Sequence, residues 1–73
     1  MKPQTKAVLR ILREGGSLTP DKARELVGTD RLAARIREIR MTYGEDYVMT
    51  VRERNANGGT HARYYLAQPE LFA

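Results

Sequence analysis

The sequence contains no cysteine. Disulfides, zinc–thiolate centres and thiol catalysis are therefore excluded, and a small fold without covalent staples suits a reducing compartment. No apolar run is long enough to cross a bilayer. The start, "MKPQTKAVLRILREGG", has neither the long apolar stretch nor the small-residue cleavage site of a signal peptide. Internal repeats and low-complexity segments are missing as well. Histidine occurs once, at His61, with no carboxylate cluster beside it, so no metal site is expected. The carboxylates are scattered, mostly next to arginines, and no nucleophile has a matching base. "NGG" is no phosphate cradle, since it is not a strand-to-helix turn and no Lys-Ser/Thr follows it. The expectation is a cytoplasmic protein that is not an enzyme, holds no cofactor or metal and has no membrane role.

What is present is basic. The chain has 73 residues and a net charge of +4, with a pI near 9.9. That length makes one small domain, which buries only about 60% of its unfolded surface. A basic small domain leans towards nucleic acid or another anionic surface.

Along the chain, residues 1–4 read as a short arm. Thr5 can cap a first helix in which Ala7, Val8, Ile11 and Leu12 recur at helical spacing through Glu14. Gly15-Gly16 closes it, and Ser17-Leu18 is a linker able to supply one extended pairing residue. "LTPDKARELVG" is strongly punctuated: Thr19 is an N-cap, Pro20 fills the first helical position, and Asp21 favours the positive helix end. Gly28 stops this helix, after which Thr29 or Asp30 caps a third one, running to about Thr42 and ending near Gly44.

The period then changes to two. In "DYVMTVRER", Tyr47, Met49 and Val51 alternate with Val48, Thr50 and Arg52, and either Val48 or the Tyr47–Met49 side can be the buried one. "NANGG" is a turn cluster, and "THARYYLA" alternates again with Ala62, Tyr64 and Leu66 on one face. Two such runs make a β-hairpin, which is marginal alone and must pack on the helices. The domain is expected to span residues 1–67 and a tail residues 68–73, whose Leu71 and Phe72 either mediate self-association or cap the core.

The third helix, "GTDRLAARIREIR", carries the functional signal. At 100° per residue Leu32, Ile36, Ile39 and Tyr43 form a compact apolar stripe. Arg37, Asp30, Met41, Ala34 and Glu38 cover the opposite side, Arg31 borders them, and Arg35 and Arg40 flank the stripe. A small residue at mid-face permits close approach to a groove floor, and arginine can bond guanine or clamp phosphate. A solvated basic helix is the plain alternative. The short helix before it matters here, because two helices joined by a Gly-containing turn form the helix-turn-helix layout.

The segments "VLRILREGGSLTP" (8–20), "RLAARIREIR" (31–40) and "ARYYL" (62–66) together resemble a family of short helix-turn-helix proteins common in phages and prophages. The similarity spans residues 4–67, with "MTYGEDYVMT" less regular than the family's turn into its wing. The resemblance implies an α+β winged helix-turn-helix fold, three helices followed by a two-stranded wing, that binds double-stranded DNA. The recognition helix would be about residues 30–42, with Thr29, Arg31, Ala34, Arg35, Arg37 and Glu38 as its contact residues. The wing, about 52–63, would offer Arg54, Asn57, His61 and Arg63, and Lys2, Lys6 and Thr19 would hold phosphates near helix N-termini. The function expected is sequence-specific DNA binding in transcription regulation or a related process of a phage or mobile element, with self-association into a homodimer as one route to specificity. The alternatives are a small inhibitor that sets its basic face against an acidic host protein, and an excisionase-like DNA bender.

Overall fold

The computed structural model describes residues 1–68. Its elements are α1 (Pro3–Arg13), α2 (Pro20–Leu26), α3 (Leu32–Tyr43), β1 (Val48–Arg54) and β2 (Thr60–Leu66), with a 3-10 turn, Glu45–Tyr47, between α3 and β1. The order helix, short helix, helix, hairpin is the expected one.

The first helix begins earlier than its sequence suggests. Pro3 occupies the first helical position, where a missing N–H breaks no hydrogen bond, and Lys2 is the extended cap residue. Thr5 is therefore within α1 and not its cap. It is fully buried, and its hydroxyl donates to the Glu38 carboxylate of α3. The glycine stop behaves as expected: Gly15 has φ 88°, and the N–H groups of Gly15 and Gly16 reach the carbonyls of Leu12 and Ile11, each at 3.1 Å.

Thr19 does cap α2, its hydroxyl accepting from the Lys22 N–H at 3.3 Å. Gly28, at φ 81°, ends the turn of α2 by donating to the Ala23 carbonyl at 3.0 Å. The expected cap of α3 is corrected. Arg31 is the cap residue and provides no side-chain bond. The Thr29 hydroxyl instead accepts from the Arg31 N–H at 3.1 Å, and Asp30 turns back to Arg24 at 2.9 Å. The local turn thus consumes the two side chains that otherwise suit capping.

Val8, Leu9 and Leu12 of α1 pack with Leu32, Ile36 and Ile39 of α3, and Leu18, Ala23, Val48 and Leu66 complete the core. Each large aliphatic side chain so buried contributes about 1.5–3 kcal/mol, which is what holds a domain this small together. Leu18 also exchanges backbone hydrogen bonds with Tyr64, at 2.9 and 2.8 Å, adding a one-residue strand to the outer side of β2. The linker's pairing role is therefore realised.

The antiparallel register runs from Val48↔Leu66 to Arg54↔Thr60. It settles which face is buried: Val48 and Leu66 enter the core, and Tyr64 packs against it. Met49, Val51 and Tyr65 lie on the other, exposed side. Tyr47 leaves the strand altogether, stacking on Tyr43 with ring centroids 4.7 Å apart. Tyr43 is correspondingly more exposed than the apolar stripe suggested, and Arg13 donates to the hydroxyls of both rings. Leu71 and Phe72, and with them the question of what the tail does, lie outside the described residues.

Candidate nucleic-acid interface

Which part of α3 faces outward is decided by α1, which packs along one flank of it. On that flank Glu38 accepts from the Thr5 hydroxyl and lies 3.9 Å from Lys2 and 3.4 Å from Arg35. The Thr5 hydrogen bond, reinforced by Arg35 and Lys2 and opposed by partial desolvation, holds the Glu38 carboxyl below the usual carboxylate range. Arg35 has only 12% of its side chain exposed. Glu38 and Arg35 are thus turned into the α1–α3 contact, and Glu38 does not share the open surface with Arg37 as the helical wheel suggested.

The exposed residues of α3 are Ala33, Arg37 and Met41, in one row at intervals of four, together with Thr42 and Tyr43 at its end, and Ala34 is partly covered beside the row. Arg31 is exposed just before the helix. On the opposite flank Arg40 donates to the Val48 carbonyl at 2.7 Å and to the Thr50 hydroxyl at 2.9 Å, fastening α3 to β1. Side chains alternate along a strand, so Arg52 and Arg54 share the face of Thr50, the one that α3 reaches.

The hairpin tip is a tightly bonded turn. Asn55 Oδ1 accepts from the N–H groups of Asn57 and Gly59, both at 3.0 Å, leaving Asn57 exposed at the apex. His61 and Arg63 occupy the other face, where Glu53 joins them. His61 Nε2 and Arg63 Nε each lie 2.8 Å from Glu53 Oε1, and Arg63 also donates to Ser17 Oγ at 2.8 Å. Arg63 first, and then His61, keep the Glu53 carboxyl below the usual range. His61 is therefore a bonded, partly covered residue.

The other positions expected to hold phosphate divide similarly. Thr19 and Thr29 are buried with their hydroxyls occupied in turns. Lys2 and Lys6 are exposed on the first turn of α1. Among the described residues, Lys2, Arg10, Lys22, Arg24, Arg35 and Arg63 each have an acidic partner. No carboxylate among the described residues pairs with Lys6, Arg31, Arg37, Arg52 or Arg54. Among the described residues the exposed cations without a carboxylate partner are thus those of the α3 surface, the wing and the start of α1, while the partly covered Arg40 is bonded to neutral oxygens of β1. Arg52, Ala33 and Met41 were missed as interface candidates. Their signals were period-two alternation with Thr50 for Arg52, and spacing four residues either side of Arg37 for the other two.

No group of His, Cys, Asp and Glu among the described residues could hold a metal ion. No described helix is long and apolar enough to cross a membrane.

Two helices joined by a glycine turn, with a basic hairpin fastened to the second of them, define a winged helix-turn-helix. The family model described as a winged helix-turn-helix domain matches residues 3–69, and the chain belongs to that family. No curated protein and no solved structure matches it. Membership suggests DNA binding, with duplex DNA as the partner.

Proposed function

We propose that this chain binds duplex DNA sequence-specifically, with α3 in the major groove and the wing on the adjacent backbone or minor groove. The observation that carries this reading is the distribution of unpaired charge. Among the described residues, Arg31 just before α3, Arg37 on it, and Arg52 and Arg54 on the wing lack the carboxylate partners that neutralise most other basic side chains. Guanine O6 and N7 accept arginine's paired donors, while phosphates accept from the wing and Lys6. Asn57 at the apex adds a neutral donor. Arg35 and Glu38 position α3 on α1, and His61 and Arg63 stiffen the wing through Glu53. The biological role is regulation of transcription in a phage or mobile element, a reading supported by the resemblance of residues 8–20, 31–40 and 62–66 to short phage proteins of this fold.

In vitro selection of bound duplexes, followed by titration of the recovered site, tests this. Arg31→Ala and Arg37→Ala should each weaken binding by about 1–3 kcal/mol if they read bases. Both variants binding the site as tightly as the parent would remove α3 from the interface. Capture of one acidic host protein, with no shift of any duplex, would overturn DNA binding in favour of an inhibitor.

A further inference from the structure

The outer row of α3 alternates chemistry in a defined way. Ala33, Arg37 and Met41 follow one another at intervals of four residues, so they stack along one face. Arg37 is exposed and has no acidic partner among the described residues. Met41, one turn further on, is 75% exposed, more than any other large hydrophobic residue described. A cation is thus flanked along the helix by an apolar side chain on each side.

Base edges in the major groove offer one apolar group, the thymine C5-methyl, and guanine offers the paired acceptors that suit arginine. We propose that Ala33 and Met41 are specificity determinants that meet thymine methyls on either side of a guanine bonded by Arg37; this rests on the groove-binding reading above. The lengths of the two apolar side chains fit the geometry. Recognition helices approach base edges most closely near their N-terminal ends, where the single methyl of Ala33 suffices. Towards the other end a straight helix leaves the curved groove, and the long, unbranched Met41 side chain spans the greater distance. A rise of about 1.5 Å per residue sets Ala33 about 12 Å from Met41 along the axis. At about 3.4 Å per base pair, the row covers roughly four base pairs. The recovered site should therefore contain a G·C pair with an A·T pair on each side within that span.

The test uses the full chain and the selected duplex, resynthesised with deoxyuridine replacing thymidine at one flanking pair at a time. Uracil keeps the hydrogen-bonding edge and removes only the methyl. Each replacement should weaken wild-type binding about fourfold, the equivalent of one buried methyl group. Met41→Ala should lose that sensitivity at one flank, and Ala33→Ser at the other. Both positions are exposed, so circular dichroism and the thermal midpoint should show folded variants.

Wild-type binding indifferent to uracil at both flanks overturns the proposal, as does unchanged uracil sensitivity in both variants. If a site is still enriched and binding still falls steeply with salt, such a failure leaves the groove reading standing. If no duplex is enriched at all, the groove reading fails and this inference fails with it.

Discussion

At the scale of single residues, Glu38 links the two largest helices. Its carboxylate accepts from the buried Thr5 hydroxyl, with Arg35 and Lys2 nearby. These contacts lower its pKa, and the Thr5 bond is the largest cause. A carboxyl whose folded pKa is depressed stabilises the fold fully above its unfolded value, about 4.3 for glutamate. That contribution disappears as pH falls through the lower folded value. Glu53, held down by Arg63 and His61, has the same sign, so both predict a fold that weakens on the acid side. Thr5→Val keeps the shape of the buried side chain and deletes its donor. We expect the Glu38 midpoint, followed by NMR, to move up towards the ordinary glutamate value, while Glu53 stays where it is. An unmoved Glu38 midpoint would show that the hydroxyl does not hold the carboxylate.

Elements show best where local pattern suffices and where it does not. The second helix was legible because its boundaries are local chemistry: Thr19, Pro20 and Gly28 set its limits whatever lies around it. The third helix was legible as an amphipathic element, since Leu32, Ile36 and Ile39 are all buried. Its wheel does not reveal which flank α1 covers, so it sets Glu38 on the open side and gives Ala33 no role there. The strand pattern had a similar limit. Tyr47 and Met49 are bulky and largely apolar, so either they or Val48 can fill a core, and the choice between faces is made only by the core beneath Val48 and the stacking of Tyr47 on Tyr43.

The stop of α3, in contrast, follows from a single glycine. Gly44 adopts φ 114° and ψ 155°, a conformation that side-chain-bearing residues rarely enter. A Cβ there would meet nothing within 4 Å, so any cost is one of backbone conformation and not of collision. Gly44→Ala should therefore lower stability by about 1–3 kcal/mol, read from urea unfolding. A change within about 0.5 kcal/mol, the range of an ordinary surface substitution, would mean that the chain leaves α3 by another path at little cost.

For the whole molecule the decisive property is where charge goes unneutralised. A net charge of +4 describes affinity for anions only weakly until the paired cations are set aside. Among the described residues, what remains without a carboxylate partner lies on Arg31 and Arg37, on Arg52 and Arg54 of the wing, on Lys6, and on Arg40, which is bonded to neutral oxygens of β1. On the proposed function, one module this small would read few base pairs, and tight, selective binding would call for a second copy or repeated sites. The affinity of each copy should be strongly salt-dependent, because every phosphate neutralised releases condensed counterions. In a plot of log affinity against log salt concentration, each phosphate contact contributes about 0.9 to the negative slope. Arg54→Ala should accordingly flatten the slope by about that amount and weaken selected and random duplexes alike, as expected of a backbone contact. Arg10 provides the contrast: it lies 3.9 Å from Glu14 on the exposed side of α1. Arg10→Ala should leave the slope as it was. Equal slopes for wild type and Arg54→Ala would take the wing off the phosphates. A flattening by Arg10→Ala as large as that by Arg54→Ala would mean that overall charge, and not the wing, governs attraction to DNA.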